Sequence, residues 1–305
     1  MTPLPSQLPT GEHADLNQFA VSSHRQLFGQ VMTGLVFACV AISIVPLASI
    51  LFMVITNGLG GFSPSIFTEL PPVGQGVSVP AASLQVGGFR NAIVGTLLTC
   101  AIGGIISVPF GVLVAIYTVE FGQGNWISQF VRFCTNVLSG VPSIIAGLFA
   151  YGIVVLLTGG FSAVAGGAAL SVLMLPTIIR TTEEGLKSVP KATRLAAVGV
   201  GATNFQTVFQ IVLPAALPFV ATGVTLAIAR AAGETAPLLF TCLFNQYDIK
   251  GLWEPTATLS VLIYNFAISP YPNQQKLAWV AALLIVLLIL SISIFARIIS
   301  RRKVY

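Results

Sequence analysis

Apolar and polar positions fall in long blocks along this chain and do not alternate. A polar opening, residues 1–27 with Pro3, Pro5 and Pro9, gives way to apolar runs at 28–55, 91–119, 130–157, 161–179, 213–244 and 277–299. Each run has the roughly 17–25 residues that a helix needs to cross the hydrocarbon core of a bilayer. The pattern predicts six spanning helices, the third interrupted at Gly140 and Pro142. Between the runs lie a Gly- and Pro-punctuated loop at 57–90, a short link at 120–129 with Glu120 and Trp126, and a Gly159-Gly160 turn. A polar amphipathic insertion at 180–211 carries Arg180, Glu183, Glu184, Lys187, Lys191 and Arg194, and a polar loop around Asp248, Lys250, Trp253 and Glu254 precedes the sixth run. The first run is too long for the core of a signal peptide and no small-residue cleavage pattern follows it, so it is expected to be retained. The expected organisation is a mobile tail at 1–27 and a membrane domain at 28–305, with the 180–211 segment on the cytoplasmic side.

Composition narrows the class. The chain is 55% hydrophobic and 8% charged, with a mean hydropathy of +0.91. A soluble domain carries about 25% charged residues; lipid must therefore serve as part of the solvent here. The net charge of +5 is topological in this reading. Of the 14 Lys and Arg, ten (Arg25, Arg132, Arg180, Lys187, Lys191, Arg194, Arg297, Arg301, Arg302, Lys303) fall on one side of a six-span arrangement, and three (Arg90, Lys250, Lys276) on the other. Cytoplasmic loops collect Lys and Arg, which places both termini and the 180–211 insertion in the cytoplasm. Trp253, Tyr271 and Trp279 then lie near the outer interface, where amphipathic rings are favoured. No basic patch interleaved with aromatics points to nucleic acid. Cys39, Cys100, Cys134 and Cys242 are far apart in or beside apolar runs and read as packing residues. Both histidines, His13 and His24, sit in the polar tail, so neither a metal site nor a cofactor is expected. No Ser/His/Asp or Cys/His set is available within the membrane, and an enzyme is not expected.

Two segments carry the functional signal. In the fifth run, Arg230 and Glu234 are the only charges well inside an apolar stretch, and their spacing of four puts them on one helix face. An Arg at mid-bilayer costs about 3 kcal/mol on insertion scales, a cost tolerated when the group is paired or lines a polar path. One reading has Arg230 facing a pathway and receiving an anion, since a guanidinium donates two parallel hydrogen bonds to an oxyanion, with Glu234 holding it between events. The other has the two as a structural ion pair locking helices together. Gly233 leaves room for a close neighbour, and Pro237 is expected to kink the helix. The second segment is the insertion. Leu195-Ala196-Ala197-Val198-Gly199-Val200-Gly201 predicts a short helix and a sharp turn, followed by Phe205, Val208 and Ile211 at helical spacing. It reads either as an interfacial helix lying on lipid or as a dock for a soluble partner.

The insertion resembles the EAA loop of the permease subunits of ATP-binding-cassette importers: Glu-Ala-Ala, three residues, Gly, nine residues, Ile, one residue, Leu-Pro. Ala196, Ala197, Gly201, Ile211, Leu213 and Pro214 fall in place, and Leu195 stands at the Glu position. Phe67-Thr68-Glu69-Leu70-Pro71-Pro72, Asn91-Ala92-Ile93-Val94-Gly95-Thr96-Leu97, the stretch from Gly140-Val141-Pro142 to Phe149, and Arg230-Ala231-Ala232-Gly233-Glu234-Thr235-Ala236-Pro237 are similar to phosphate-importer permeases of the PstA type. The resemblance covers residues 28–299. It implies an all-α membrane protein of the MetI-like type I importer fold, six transmembrane helices and cytoplasmic coupling helices in a bacterial inner membrane. It implies phosphate as the solute and Arg230 as the residue tied to its passage. It also implies two ATPase subunits, a second homologous permease subunit and an extracytoplasmic phosphate-binding protein as partners. No phosphate-cradling Gly-x-x-x-x-Gly-Lys-Ser/Thr loop occurs in the chain, so ATP must be hydrolysed by another subunit. Permeases for another small oxyanion, such as molybdate or sulfate, and a self-sufficient channel or proton-coupled carrier are the competing classes; the latter has no use for an ATPase dock.

Overall fold

A computed structural model describes residues 23–72 and 87–301. The expected tail therefore lies almost wholly outside the described residues, as do the middle of the 57–90 loop and the Arg302-Lys303 end. Helices dominate, and among the described residues there is no strand. The chain packs as two units, Met1–Phe52 and Met53–Tyr305. The first holds most of helix α1 (Ser23–Leu59), whose Thr33 and Ser43 hydroxyls donate to the carbonyls of Gly29 and Cys39 at 2.8 and 2.9 Å. Such back-bonding satisfies these two hydroxyls within the helix.

The second unit is a helix bundle built on α6 (Ala163–Ser188), the most buried of the long apolar helices. Small residues explain that position. In lipid there is little hydrophobic drive between helices, and close backbone approach at Gly, Ala and Ser supplies the contact. Gly167 of α6 accepts Ile102 of α2 (Arg90–Ile116), and a Cβ at Gly103 of α2 would stand 3.1 Å from the Gly167 carbonyl. Further down, Gly111 of α2 takes Ile178, and Gly185 of α6 takes Phe219 of α9 (Leu213–Ala232). Gly223 of α9 packs directly on Thr181. Leu170, Met174 and Ile178 of α6 form one core with Ala227, Ala231 and Cys242.

Among the described residues, five helices are long and apolar enough to span a membrane, and one bent pair makes six. That pair is the expected third span: α3 (Trp126–Gly140) and the helical stretch Ser143–Thr158 meet at 109°, with Val141 and Pro142 extended at the corner. Helix α4 (Ser143–Ala150) continues through a π-helical stretch (Tyr151–Val155) into a short α5 (Leu156–Thr158). The expected kink has become a full break, because Pro142 drives Val141 out of the helical region. Gly159 then closes the stretch with φ +75°, as the Gly-Gly pair suggests.

Three boundaries differ from the sequence reading. Helix α6 runs on to Ser188, so the first part of the 180–211 insertion is a continuation of a spanning helix. Helix α9 stops at Ala232, well before 244. Gly233 caps it, Pro237 opens a separate turn, α10 (Ala236–Leu239), and irregular chain follows. A helix unmarked by a long apolar run, α11 (Leu259–Ala267), packs on the last span, α12 (Pro272–Arg301). One end of the bundle is strapped by the 240–258 chain. Arg90 donates to both carboxylate oxygens of Asp248 at 2.8 Å, Asn91 donates to the Asn245 and Tyr247 carbonyls, and Thr96 accepts from the Leu259 amide.

Candidate functional site

The insertion folds into helix α7 (Lys191–Gly199), a glycine turn, a three-residue helix α8 (Asn204–Gln206) and a π-helical stretch (Thr207–Val212) that runs directly into α9. Pro190 begins α7, and Thr203 and Gln206 form a reciprocal capping box that begins α8. Gly201 has φ +91°, a left-handed conformation that disfavours any side chain. Ala197 is buried and anchors α7, whereas Ala196 is exposed beside Leu195, Val198 and Val200. Ile211 lies in the π-helical stretch, Leu213 and Pro214 form the first turn of α9, and Pro is well suited to that first turn. The six residues expected for coupling thus form one continuous element whose outer face presents Leu195, Val198, Val200 and Phe205.

Arg230 stands in the last turn of α9, so the segment expected to dock and this cation are joined by one helix. From Leu213 to Arg230 that helix rises about 26 Å. Arg230 belongs to an exposed stripe with Phe219, Thr222 and Leu226, and its side chain is 64% uncovered within the chain. Its Nε lies 3.5 Å from Glu234 Oε1, while the Glu234 side chain is only 17% exposed. The position at the carboxyl end of α9 favours a cation, since the helix dipole is negative there. Glu234 sits just past the helix end, where its carbonyl accepts a 2.8 Å bond from the Ser260 hydroxyl of α11. The ion pair lies within one stretch of chain. It leaves most of the guanidinium surface open.

Sequence reasoning missed a second polar cluster at the foot of the bundle. Glu183 of α6, 8% exposed, accepts from Thr118 at 2.6 Å, from Lys187 at 3.2 Å and from Arg132 at 3.4 Å. Arg132 also donates to the Thr118 carbonyl at 3.0 Å. Thr118 lies in the π-helical stretch Tyr117–Phe121 that ends α2. From the same stretch, Glu120 accepts a 2.8 Å bond from Arg194 of α7. The available signal was three carboxylates, Glu120, Glu183 and Glu184, among the cations of the 120–129 link and the 180–211 insertion.

Comparison with known proteins agrees with this geometry. Residues 107–305 match the family described as "Binding-protein-dependent transport system inner membrane component". The chain is 42% identical over 254 residues to the phosphate transport system permease protein PstA of Yersinia pestis, covering 83% of each chain. It is 39% identical over 279 residues to that of Haemophilus influenzae, covering 92% of this chain and 96% of the relative. The probable counterpart in Methanocaldococcus jannaschii is 31% identical over 270 residues. Among solved structures, a bacterial alginate ABC transporter in complex with its pentasaccharide-bound periplasmic protein superposes on 90% of this chain with a TM-score of 0.63 at 14% identity. The inward-facing MetNI methionine ABC transporter covers 70% with a TM-score of 0.55 at 21% identity. These two show the fold alone. The chain belongs to the binding-protein-dependent transport inner membrane components and, within them, to the PstA-type phosphate transport system permeases.

Proposed function

We infer that this multi-pass membrane chain is a permease subunit of an ATP-driven importer that moves inorganic phosphate into the cytoplasm. The observation that carries the reading is the placement of an uncovered Arg230 on the same helix that begins in the docking motif, in a chain 37–42% identical to several phosphate permeases. The relatives named for transport of phosphate disfavour the molybdate or sulfate alternative. The docking segment argues against a self-sufficient channel. The chain transports and does not catalyse; ATP is hydrolysed by a separate subunit.

Finer assignments follow from the same reading. Residues 28–305 form the permease domain, 1–27 a cytoplasmic tail and 180–211 the coupling segment, with both termini in the cytoplasm. Of two ATPase subunits, one docks on this chain at the segment holding Ala196, Ala197, Gly201, Ile211, Leu213 and Pro214. A second homologous permease completes the path that Arg230 faces, and an extracytoplasmic phosphate-binding protein delivers the anion. Phosphate is mono- or dianionic near neutral pH, and the open fork of Arg230 offers it paired donors. Glu234 occupies the guanidinium while no anion is present, which keeps an unpaired charge from standing in the membrane. ATP-driven closure of the ATPases moves the α7 segment, and α9 carries that motion to Arg230.

Uptake of radiolabelled phosphate by vesicles holding the whole complex tests the function. ATP-dependent uptake resisting excess sulfate and molybdate is expected. Uptake abolished by either anion would assign the permease to another oxyanion, and uptake without any ATPase would refute the importer class.

A further inference from the structure

We propose that Arg194 and Glu120 form a weld that makes the docking helix, the end of α2 and the end of α6 move as one body during transport, so that these two are positioning residues for coupling. The inference rests on the reading of α7 as the ATPase dock. It assigns the route by which displacement at that dock enters α2, which is distant from α7 along the chain.

The contacts are concentrated on one guanidinium. Arg194 Nη2 donates to Glu120 Oε1 at 2.8 Å and to the Leu186 carbonyl at 2.7 Å, while Nη1 donates to the Val189 carbonyl at 3.0 Å. Leu186 and Val189 close the carboxyl end of α6, where unpaired helix carbonyls need donors and a cation is favoured. Glu120 belongs to the π-helical end of α2. One side chain of α7 therefore holds the ends of two spanning helices. The pair is well covered, with 23% of the Arg194 and 9% of the Glu120 side chain exposed. Its separation would give up a largely covered, charge-assisted hydrogen bond, which is unfavourable.

The two attachments differ in kind. The α7 segment reaches α9 through the chain itself, by way of Gly201 and a π-helical stretch. It is joined to α6 by Val189 and Pro190 of the chain as well, and it is tied to α2 through this side chain and the packing around it. The end of α2 is in turn the hub of the second cluster: Thr118 bonds Glu183 of α6, and Arg132 and Ser128 of α3 both donate to the Thr118 carbonyl. Motion delivered to Glu120 thus reaches α3, whose far end is the 109° corner at Val141–Pro142. Single-turn π insertions in α-helices are frequent at functional sites, and here the two-residue spacing from Thr118 to Glu120 aims one group at α6 and the other at α7. Beside the weld lies a cavity of about 460 Å³ lined by Gln123, Pro190, Lys191 and Leu195 among others, so packing alone does not fill the space between α7 and α2.

The test uses the complete complex in proteoliposomes, comparing wild type with Arg194→Gln, Arg194→Lys and Glu120→Gln. Arg194→Gln is expected to retain ATP hydrolysis while phosphate moved per ATP falls about tenfold, within the range of ordinary inter-site coupling. Arg194→Lys keeps the charge but not the three-way reach, and its ratio is expected to lie between. A purely structural role would lower Tm and leave the ratio at the wild-type value, which would overturn the proposal. A second measurement holds whatever the variants do to assembly and whichever solute is carried. With the native cysteines replaced, spin labels at Lys191→Cys and Gln123→Cys report the separation of α7 from the end of α2 in the complex with Arg194 and Glu120 intact. One unchanged separation with and without ATP is expected; a separation that shifts on ATP binding shows that the joint slips and sinks the weld. Failure of wild-type vesicles to take up phosphate would count against the proposed function and is read from a different signal.

Discussion

At the scale of single residues, the chain spends an unusual amount of its few charges on one helix end. Arg230 and Glu234 meet at 3.5 Å, beyond normal hydrogen-bond length, and the contact stays within one stretch of chain. Exposed ion pairs four apart contribute only about 0.3–0.5 kcal/mol, so the pair has little part in holding the fold. Arg230→Gln is accordingly expected to leave the complex assembled, with a thermal midpoint close to wild type, while phosphate uptake falls by more than about tenfold. Arg230→Lys should recover part of the uptake at most, since a point charge lacks the planar fork. Uptake at the wild-type rate in Arg230→Gln would remove this residue from the path. Gly147 gives a contrasting case. A Cβ there would meet the Pro237 Cα at 2.5 Å, with backbone on both sides of the contact. Gly147→Val is expected to cost about 1–3 kcal/mol through overpacking, measured as a lowered Tm and a reduced yield of intact complex, because α4 would be prised from the turn that follows Glu234.

At the scale of elements, the blocks of apolar residues made six spans legible, and the Gly140-Val141-Pro142 sequence marked the one that breaks. Helix ends were less legible, for identifiable reasons. Hydropathy continues from Ala232 to Phe244, yet the helix stops because Gly233 caps it and Pro237 cannot donate to a continuing ladder. Polarity begins at Arg180, yet α6 continues because its charges find partners at the bundle foot: Arg180 on Asn136 and Lys187 on Glu183. The π-helical stretches leave no mark in composition, and the links Arg194–Glu120 and Arg132–Glu183 join residues 74 and 51 positions apart, out of reach of any local pattern. The local shape of the α7–α8 segment was the most legible part, since its constraints are local. Gly201 shows why. Nothing lies within 4 Å of a Cβ built there, yet φ is +91°, so the cost of a side chain is conformational and amounts to about 1–2 kcal/mol. Gly201→Val is expected to redirect the α7–α8 turn, and the ATPase retained on purification of the tagged permease should fall several-fold while the permease itself stays folded. Full retention of ATPase would show that the turn geometry is not part of the dock.

At the scale of the whole molecule, the charges sort by the two ends of the bundle, and the proposed orientation rests on this. Helix α2 begins at Arg90, tied to Asp248, and ends beside Glu120, tied to Arg194. Its 27 residues put those two ion pairs roughly 40 Å apart, about a full bilayer with its interfaces. Arg132, Arg180, Lys187, Lys191 and Arg194 all belong to the Glu120 end, through Thr118, Asn136, Glu183 or α7. Among the described residues, Arg90, the loop bearing Lys250, and Lys276 in the first turns of α12 belong to the other. An excess of Lys and Arg marks the cytoplasmic face, and the segment proposed to dock an ATPase lies at the same end, so both support the proposed orientation. In a chain whose native cysteines are replaced, Lys250→Cys is expected to react with a membrane-impermeant maleimide on intact cells. Lys191→Cys should react only after the membrane is opened. The reverse pattern would put α7 where no ATP is found. It would then separate the docking motif from any source of energy, and a permease so inserted could bind phosphate at Arg230 without a means of driving it inward.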